Sequence, residues 1–260
     1  SDLSDFDKYL NLYKYKFSNE RHELGGYSIL KNKNIVIAMD SGSTPDKKYS
    51  NDYQSGPLSF EAIYKGNKII CNSGYFQNQN HKLNTISRST VAHSTLILNN
   101  KSASTFKKKN KKTVLENGLK SINNNIIYQK NFWSIKGSHN GYQKEFGIIH
   151  ERAIEFFPES NKFLGKDKLI KKKNYVPASF EIRFHLMPNT KVTKTQDNRT
   201  VLIELENSGW KFFTNHGLIG IETGLYFGKK NTYSENQNIF ISGNTQKEDQ
   251  LIEWEISKIK

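Results

Sequence analysis

The nine residues ASFEIRFHL (Ala178–Leu186) decide the fold class of this 260-residue chain. Apolar and polar side chains alternate along them, in the order Phe180, Ile182, Phe184 and Leu186 against Ser179, Glu181, Arg183 and His185. Successive side chains of a strand point to opposite faces, so this alternation predicts a strand with one packed and one polar face. Such strands are typical of antiparallel sheets.

The same period of two continues along most of the chain from Gly25 onwards. The other strand-like runs are Ile35–Asp40, Leu58–Tyr64, Lys68–Cys71, Ser94–Leu98, Asn125–Tyr128, Phe132–Lys136, Ile148–Phe157, Thr200–Leu205, Trp210–Thr214, Leu218–Thr223, Asn238–Ser242 and Leu251–Ile256. Many short strands with turns between them predict an all-β fold, a large antiparallel multi-stranded β-sandwich over residues 25–260. Residues 1–24 form an N-terminal appendage, in which helical spacing of apolar residues predicts a short helix within Asp2–Lys16.

The formal net charge of +14 is compatible with a nucleic acid, an anionic surface or a polyanionic substrate. The densest basic clusters, Lys107–Lys112 and Lys171–Lys173, lie between strand-like runs, so we expect exposed loops there. Neither cluster is interleaved with stacking aromatic residues, which argues against a specific nucleic-acid groove. No apolar stretch approaches the roughly 20 residues that span a bilayer. A single cysteine, Cys71, excludes an internal disulfide framework.

A polar segment between two strand-like runs is the first candidate for a site. It lies within IICNSGYFQNQNHKLNTISRSTVAHSTLIL (Ile69–Leu98), and it carries Asn72, Tyr75, Arg88 and His93. Hydrogen-bonding groups on a loop that a rigid sheet holds in place are a common form of recognition site. We therefore expect a recognition loop at this position.

Four of the seven histidines, His93, His139, His150 and His185, lie in polar motifs of this kind. Each has a structural and a functional interpretation. His150 and Arg152 share a strand face with apolar residues, so they could be buried partners of carboxylates such as Glu151. A cluster of His, Arg, Tyr and Asn on sheet faces would equally suit an anionic sugar, because Arg binds carboxylates and Asn and His reach hydroxyls.

Five motifs in order make the chain resemble a known family. They are GPLSFE (Gly56–Glu61), SRSTVAHSTL (Ser87–Leu96), SHNGYQKEFGIIHER (Ser138–Arg152), LGKDKL (Leu164–Leu169) and RFHLMP (Arg183–Pro188). From about Gly25 to Trp254 the chain resembles the C-terminal β-sandwich domain of the heparinase II/III-like proteins, a superfamily related to polysaccharide lyases, and it is most similar to a bacterial branch of them.

The resemblance implies a partner domain and a reaction. Family members place an α/α-toroid before the sandwich, with the active cleft between the two, so residues 1–24 are expected to be the end of a missing toroid. The implied reaction is β-elimination on an acidic, uronate-containing polysaccharide such as a glycosaminoglycan. The implied compartment is the periplasm or the cell envelope, and the isolated domain is expected to be inactive.

The resemblance and the polar motifs together give a set of candidate site residues. The expected catalytic residues are His93, His139 and Tyr142, and the expected substrate contacts are Asn72, Tyr75, Arg88, His150 and Arg152.

The resemblance also implies a metal position that this sequence has changed. Related lyases often carry a His-x-His-x-Asp pattern before the strand matching Leu58–Tyr64, where this chain has Asp52–Ser55. A later aspartate appears here as Asn72, which leaves Gln54, Asn72 and His93 as a degraded zinc site. Zn²⁺ favours imidazole, thiolate and carboxylate ligands over neutral amides, so we expect no metal and no other cofactor.

Three functional hypotheses follow. The first is the sandwich domain of a polysaccharide lyase. The second is a non-catalytic carbohydrate-binding or cell-envelope module, in which the altered metal position marks lost chemistry. The third is a polyanion binder that acts through charge alone, with a steep and sequence-blind salt dependence.

Overall fold

The structure is a computed structural model that describes residues 3–14, 22–109, 112–217 and 219–259. Its helices are α1 (Leu3–Leu12), α2 (Lys82–Arg88) and α3 (Gln143–Phe146), and single 3-10 turns occur at Lys47–Tyr49 and Thr90–Ala92. The strands are β1 (Glu23–Leu24), β2 (Tyr27–Lys31), β3 (Ile35–Asp40), β4 (Phe60–Tyr64), β5 (Asn67–Ile70), β6 (Leu96–Leu98), β7 (Thr105–Lys109), β8 (Lys112–Asn117), β9 (Ser121–Tyr128), β10 (Trp133–His139), β11 (Ile148–Phe157), β12 (Lys162–Lys171), β13 (Ser179–His185), β14 (Lys191–Lys194), β15 (Thr200–Leu205), β16 (Ser208–Thr214), β17 (Ile219–Tyr226), β18 (Ser234–Asn244) and β19 (Gln250–Lys258).

These strands form three large sheets and one hairpin. The first sheet has five strands in the order β1-β2-β3-β4-β5, and the second has eight in the order β14-β15-β16-β19-β12-β11-β10-β9. The third sheet has the order β17-β18-β13-β6, and β7 and β8 pair with each other. All pairings between these strands are antiparallel, which confirms the predicted all-β, antiparallel sandwich.

The three large sheets meet in one aromatic cluster around Trp254. Its indole stacks on Phe60 of the first sheet at 5.5 Å between ring centroids, and meets Phe184 of the third sheet at 4.9 Å. Phe212, from the same sheet as Trp254, lies 4.7 Å from Phe184. All four side chains are at most 2% exposed. Because each such aromatic pair contributes about 0.5–1.5 kcal/mol beyond area burial, the cluster stabilises the packing of the three sheets against one another.

The stretch Ala178–Leu186 forms a strand as predicted, but part of its polar face is also buried, since only Ser179 is exposed and Glu181 is half-buried. Arg183 is 8% exposed and His185 is 2% exposed. Arg183 pairs with Glu181 and Glu222, while the His185 ring bonds to Ser73 Oγ at 3.0 Å. His185 is covered because the segment after β5 folds over it, whereas Arg183 lies against its two carboxylate partners. Alternation therefore predicted the strand correctly, and the predicted solvent exposure was wrong for Arg183 and His185.

Two further expectations need correction. Lys107–Lys112 is not a loop, since β7 and β8 form a hairpin there, although Lys107, Lys108 and Lys109 are exposed as expected. The second is the sequence between Phe157 and Ala178, where β12 was missed. Its inward positions include Gly165 and Asp167, which break the apolar alternation. Gly165 is required there because a Cβ would lie 2.0 Å from the Trp254 ring.

The N-terminal appendage contains the expected helix, α1, within the predicted range, of which residues 2, 15 and 16 lie outside the described part. The first sheet begins with β1, two residues before the expected domain boundary at Gly25. Along the described residues, no helix combines the length and the apolarity that crossing a membrane requires.

Candidate functional site

A cavity of about 580 Å³ opens beside the edge where β3, β4 and the segment after β5 come together. The turn before β2, the end of β3 and the segment around Tyr53 form its walls. Gln54, Asn72 and His93, which are separated in sequence, all line it. The fold therefore brings together, in the lining of one cavity, the three residues that were predicted from the sequence to form a degraded zinc site.

The segment between β5 and β6 is more ordered than the loop that we expected. It contains α2, whose first turn is capped by the His81 side chain accepting the Leu83 N–H at 3.2 Å, and a 3-10 turn at Thr90–Ala92. Gly74 adopts φ +81° and approaches the backbone of Phe227, where a Cβ would lie 3.0 Å from the Phe227 carbonyl oxygen. These contacts fix the segment so that Asn72 and His93 face the cavity.

The His93 imidazole is held in one neutral form. Its Nδ1 lies 2.9 Å from the Ser89 carbonyl oxygen, which can only accept, so Nδ1 carries the proton and Nε2 is an acceptor. Burial lowers the pKa of His93 to about 4. The side chain is 5% exposed, and Nε2 has no hydrogen bond within the described residues. His93 therefore presents an unused acceptor at the cavity near neutral pH.

Asn72 is fixed at both its backbone and its side chain. Its Oδ1 accepts the Ser94 N–H at 2.8 Å, and its own N–H donates to Glu61 Oε1 at 3.2 Å. Glu61 in turn accepts from Lys68 Nζ at 2.7 Å. The Asn72 amide nitrogen is the part of the side chain left to donate to a ligand.

The donor set of one imidazole and two neutral amides does not fit Zn²⁺. Asn72 Oδ1 is already engaged with Ser94, so a metal would have to compete for it. Within residues 3–14, 22–109, 112–217 and 219–259 there is no group of three or more His, Cys, Asp or Glu placed to hold a metal ion. These residues therefore support no metal-assisted step.

Asp40, a wall residue that the sequence did not single out, is the most perturbed carboxyl of the cavity. It ends β3, opposite Tyr27 of β2, and its Oδ1 accepts the Gly42 N–H at 3.3 Å. Burial raises the pKa of Asp40 to about 7. Burial, together with the nearby Asp40 carboxyl, also raises the pKa of Tyr27 and of Tyr53. Perturbed groups of this kind cluster at functional sites. The sequence feature that could have identified Asp40 is its place as a carboxylate between an apolar strand and a glycine-containing turn.

Arg88 is fully buried and lies behind the cavity wall. Its three nitrogens donate to the carbonyl oxygens of Tyr53, Thr113 and Ser50, each at 2.8 Å, and its guanidinium lies over the Phe106 ring. The side chain thereby fixes the segment that carries Tyr53 and Gln54.

Tyr75 lies next to the cavity rather than in its wall. Its hydroxyl donates to Asp52 Oδ1 at 2.8 Å and accepts from Asn84 Nδ2 at 3.2 Å. Asp52 itself lines the cavity, so Tyr75 acts on the cavity through Asp52.

His139 and His150 lie outside the cavity, in a buried chain of hydrogen bonds with one consistent direction. Gly141 N–H donates to His139 Nδ1 at 3.0 Å, which leaves His139 Nε2 to donate to His150 Nδ1 at 3.2 Å. His150 Nε2 then donates to Asp167 Oδ1 at 2.6 Å. Both histidines are thus neutral, and every ring nitrogen has a partner.

The buried partner of His150 and Arg152 is Asp167, not Glu151. Arg152 makes two bonds to this carboxylate, while Glu151 pairs with Lys136 at 3.0 Å. Asp167 was missed because it lies on β12. A polar residue at an inward position breaks the apolar alternation by which that strand could have been predicted.

Tyr142 is also outside the cavity. It is 1% exposed and donates to the Leu96 carbonyl oxygen at 3.0 Å.

The buried hydrogen-bond network of His139, His150, Arg152 and Asp167 is nevertheless connected to the cavity wall through backbone carbonyl groups. Arg152 Nη1 donates to the carbonyl oxygens of Leu58, at 3.0 Å, and Ser94, at 2.7 Å. Ser94 follows His93, and Ser59, which follows Leu58, lines the cavity. The candidate residues thus separate into His93 and Asn72 at the cavity wall, Tyr75 beside it, and Arg88, His139, Tyr142, His150 and Arg152 behind it.

Comparison with solved structures finds the same fold in heparan-degrading enzymes. The chain matches heparan sulfate lyase HepC from Pedobacter heparinus with a TM-score of 0.78 at 14% identity, over 99% of this chain and 41% of that chain. It matches a structure described as heparinase III with a TM-score of 0.70 at 16% identity, over 98% and 42% of the two chains. The chain thus spans about two fifths of these structures. A comparison with curated proteins found no match.

The family model for the heparinase II/III-like C-terminal domain matches residues 20–255, which is most of the sequence. This match covers the sheets, the cavity and the buried chain behind it. The protein therefore belongs to the heparinase II/III-like family, and this chain comprises the C-terminal domain of that family.

Proposed function

We propose that this chain is the C-terminal domain of a polysaccharide lyase that cleaves a uronate-containing acidic polysaccharide by β-elimination, and that its cavity forms one wall of the cleft. The observation that carries the proposal is the convergence of Gln54, Asn72 and His93, together with Asp40 and two tyrosines, on a single cavity. The other wall would come from an α/α-toroid in the parent protein. The cleft would lie at the periphery of the sandwich, where the cavity opens.

The chemistry sets what the two walls must provide. The proton beside a uronate carboxylate is weakly acidic until that carboxylate is neutralised. A base must then remove the proton and an acid must protonate the leaving oxygen, each contributing about 10²–10⁴-fold. His93 offers a neutral imidazole whose Nε2 can accept a proton, and Asn72 offers an amide that can orient a sugar hydroxyl. We assign the proton-transfer role to His93.

Arg88, His139, Tyr142, His150 and Arg152 are assigned to the scaffold rather than to the substrate. Each is buried, and its polar atoms bond to carbonyl oxygens, to other buried side chains or to both. Through Tyr53, Leu58 and Ser94 they position the cavity wall. Their substitution should therefore reduce stability first and activity only as a consequence.

The test uses the parent protein, including any sequence that precedes this chain, with heparan sulfate, alginate and related polymers. Cleavage appears as new ultraviolet absorbance from the unsaturated uronate product. We expect His93→Ala to lower the rate at least 100-fold and Asn72→Ala to lower it about 10-fold. Asn125→Ala, on an exposed part of β9, is the matched control and should change nothing. No absorbance with any uronate polymer would contradict the lyase proposal.

One observation favours a second candidate, a carbohydrate-binding module without catalysis. Neutral amides stand at Gln54 and Asn72, where the related lyases are expected to carry metal ligands. Binding of the same polymers without any new absorbance, weakened by His93→Ala, would support this alternative.

A further inference from the structure

The charges around the cavity divide into two regions, and this division bears on which part of a polysaccharide the cavity receives. The ionisable side chains that line the cavity are Tyr27, Asp40, Asp52, Tyr53, Glu61 and His93. Among the described residues, neither Lys nor Arg lines it. Lys68, which lies close by, is bound to Glu61 at 2.7 Å. The cavity is therefore acidic in a protein whose net charge is +14.

Two strong hydrogen-bond acceptors remain available in the cavity. His93 Nε2 has no hydrogen bond within the described residues, although the side chain is only 5% exposed. The Asp40 carboxyl accepts one N–H, from Gly42, and has no ion-pair partner in the described part of the chain. The Gln54 amide can both accept and donate, and the Asn72 amide nitrogen is a donor. A ligand that binds to the two strong acceptors must present donors, which in a sugar are hydroxyl or amino groups that can also meet the amides.

A uronate carboxylate would be poorly matched to this cavity. It would approach Asp40 and Asp52 without a Lys or Arg in the described lining of the cavity to compensate it. Like charges at short range repel each other, and more strongly in a partly desolvated site. The carboxylate of the substrate must therefore be bound elsewhere.

The exposed lysines that could bind anionic groups lie outside the cavity but adjoin its wall. Lys47 and Lys48 are in the first 3-10 turn, and Lys107–Lys109 are in the β7–β8 hairpin. Arg88 joins the two elements by donating to Ser50 and Thr113, and the Phe106 ring lies 6.2 Å from the Tyr53 ring. Cations for the anionic groups of a bound chain thus lie on elements that Arg88 connects to the cavity wall.

We propose that the cavity is a subsite for a sugar unit that carries no negative charge and donates hydrogen bonds from hydroxyl or amino groups, with Asp40 as its acceptor. This inference rests on the proposed polysaccharide-binding function. It assigns the cavity to the neighbour of the uronate and places His93 at the boundary between the two units, where Nε2 can take the uronate proton, while the uronate carboxylate is bound on the toroid side or by the lysines.

The groups that face Asp40 determine how pH acts on this subsite. They are Tyr27 from β2, Tyr53 and Asp52 from the segment before β4, Glu61 from β4, and His93. Glu61 is paired with Lys68, and burial keeps the pKa of His93 near 4, so Asp40 is the group that changes near neutrality. Burial raises the pKa of Asp40 to about 7, so the anion, the better acceptor, predominates above that pH.

The experiment uses NMR signals of the His93 ring to report on the cavity, with three tetrasaccharides at pH 8 and 0.3 M salt. The probes are oligomers of N-acetylglucosamine, of glucosamine and of glucuronic acid. We expect an uncharged or amino-bearing oligomer to shift the His93 signals with at least tenfold higher affinity than the glucuronic acid oligomer. Asp40→Asn should lower that affinity at least fivefold, whereas exposed Asp46→Asn should leave it within twofold.

Two outcomes would overturn the inference. In the first, the glucuronic acid oligomer shifts the His93 signals with equal or higher affinity than the other two. In the second, no oligomer without negative charge shifts them at all. Either result leaves the lyase proposal standing if the parent protein cleaves uronate polymers. Failure of that cleavage assay, with the expected His93 shifts present, would remove the lyase and keep the subsite.

Discussion

Arg152 and Asp167 form a two-bond ion pair at the centre of the sandwich, with Nε–Oδ1 at 2.7 Å and Nη2–Oδ2 at 3.1 Å. The two residues lie directly opposite each other on β11 and β12, and both side chains are fully buried. Asp167 also accepts from Trp254 Nε1 at 2.8 Å. Burial raises the pKa of this carboxyl, but Arg152 and His150 outweigh it, so the pKa of Asp167 lies well below its usual range.

Removing one partner of this pair should be strongly destabilising. Asp167→Ala leaves the Arg152 charge buried without its partner and breaks the bonds to His150 and Trp254, so we expect a loss of about 3–5 kcal/mol in the free energy of unfolding. The measurement is urea denaturation followed by tryptophan fluorescence. Lys166→Gln is the matched control, because the neighbouring pair of Lys166 with Glu155 is partly exposed and should contribute under about 1 kcal/mol. Equal losses in the two variants would refute this account.

Stability should fall in mild acid because four histidines are buried in neutral form. Burial is the main cause that lowers the pKa of His93 to about 4 and of His185 to about 3, and it also lowers the pKa of His139 and of His150. The unfolded chain binds these protons near pH 6.5, so the stabilisation is complete above that pH and is lost as pH falls below it. Asp40 acts in the opposite direction, because its folded pKa of about 7 exceeds the ordinary value.

The four histidines outnumber Asp40, so the net effect is loss of stability towards low pH. Because the unfolded histidines titrate only part-way through this range, each contributes about 1.4 kcal/mol between pH 7.5 and 5.5, and Asp40 offsets about 2 kcal/mol. The free energy of unfolding should therefore drop by about 3.5 kcal/mol. Urea denaturation at intervals of half a pH unit provides the measurement. A free energy that stays constant over this range would mean that the histidines are not buried in neutral form.

Arg88, which the sequence had suggested as a substrate contact, should instead contribute to stability. Its planar guanidinium reaches three carbonyl oxygens from fixed directions, which the single ammonium of lysine cannot reproduce. We expect Arg88→Lys to cost about 2–4 kcal/mol, because at least one buried carbonyl loses its charged donor. The control is Arg199→Lys, at an exposed position, with no measurable change in melting temperature. If Arg88→Lys weakened sugar binding without any loss of stability, the direct-contact role would be restored.

The fold was largely predictable because alternation is a local property. Ala178–Leu186 and Ile148–Phe157 have a periodicity of two that any antiparallel pairing must respect, and the structure has strands at both. The strand β12 could not be found in this way. Its inward Gly165 and Asp167 are explained by Trp254, which lies far away in sequence, and by Arg152, which faces Asp167 only once β11 and β12 have paired.

The candidate site was less predictable, since burial depends on what covers a face. Sequence placed His150 and Arg152 on an apolar strand face, which correctly anticipated a buried pair but not the partner. His93 and Asn72 were recognisable through motif order. Asp40 was not, because its raised pKa arises from burial, and that burial exists only after the first sheet has formed and the neighbouring segments have packed against the end of β3.

Gly56 provides a test of whether the position of the His93 ring matters. A Cβ at residue 56 would lie 2.5 Å from His93 Cδ2 and 2.9 Å from Ser59 Oγ, so the ring must shift to accommodate it. We expect Gly56→Ala to destabilise the protein by about 1–3 kcal/mol and to weaken sugar binding at the cavity at least fivefold. Binding is followed through the His93 ring signals, and stability through thermal denaturation.

The control for this substitution is Gly209→Ala on β16, where the nearest atoms to a new Cβ belong to Ile259 at 3.7 Å, an ordinary contact. That variant should retain both binding and melting temperature. The bond from His93 Nδ1 to the Ser89 carbonyl oxygen holds Nε2 at one place. If Gly56→Ala lowered stability as expected but left binding unchanged, the imidazole would not be an acceptor for the sugar, and Asp40 would carry the recognition without it.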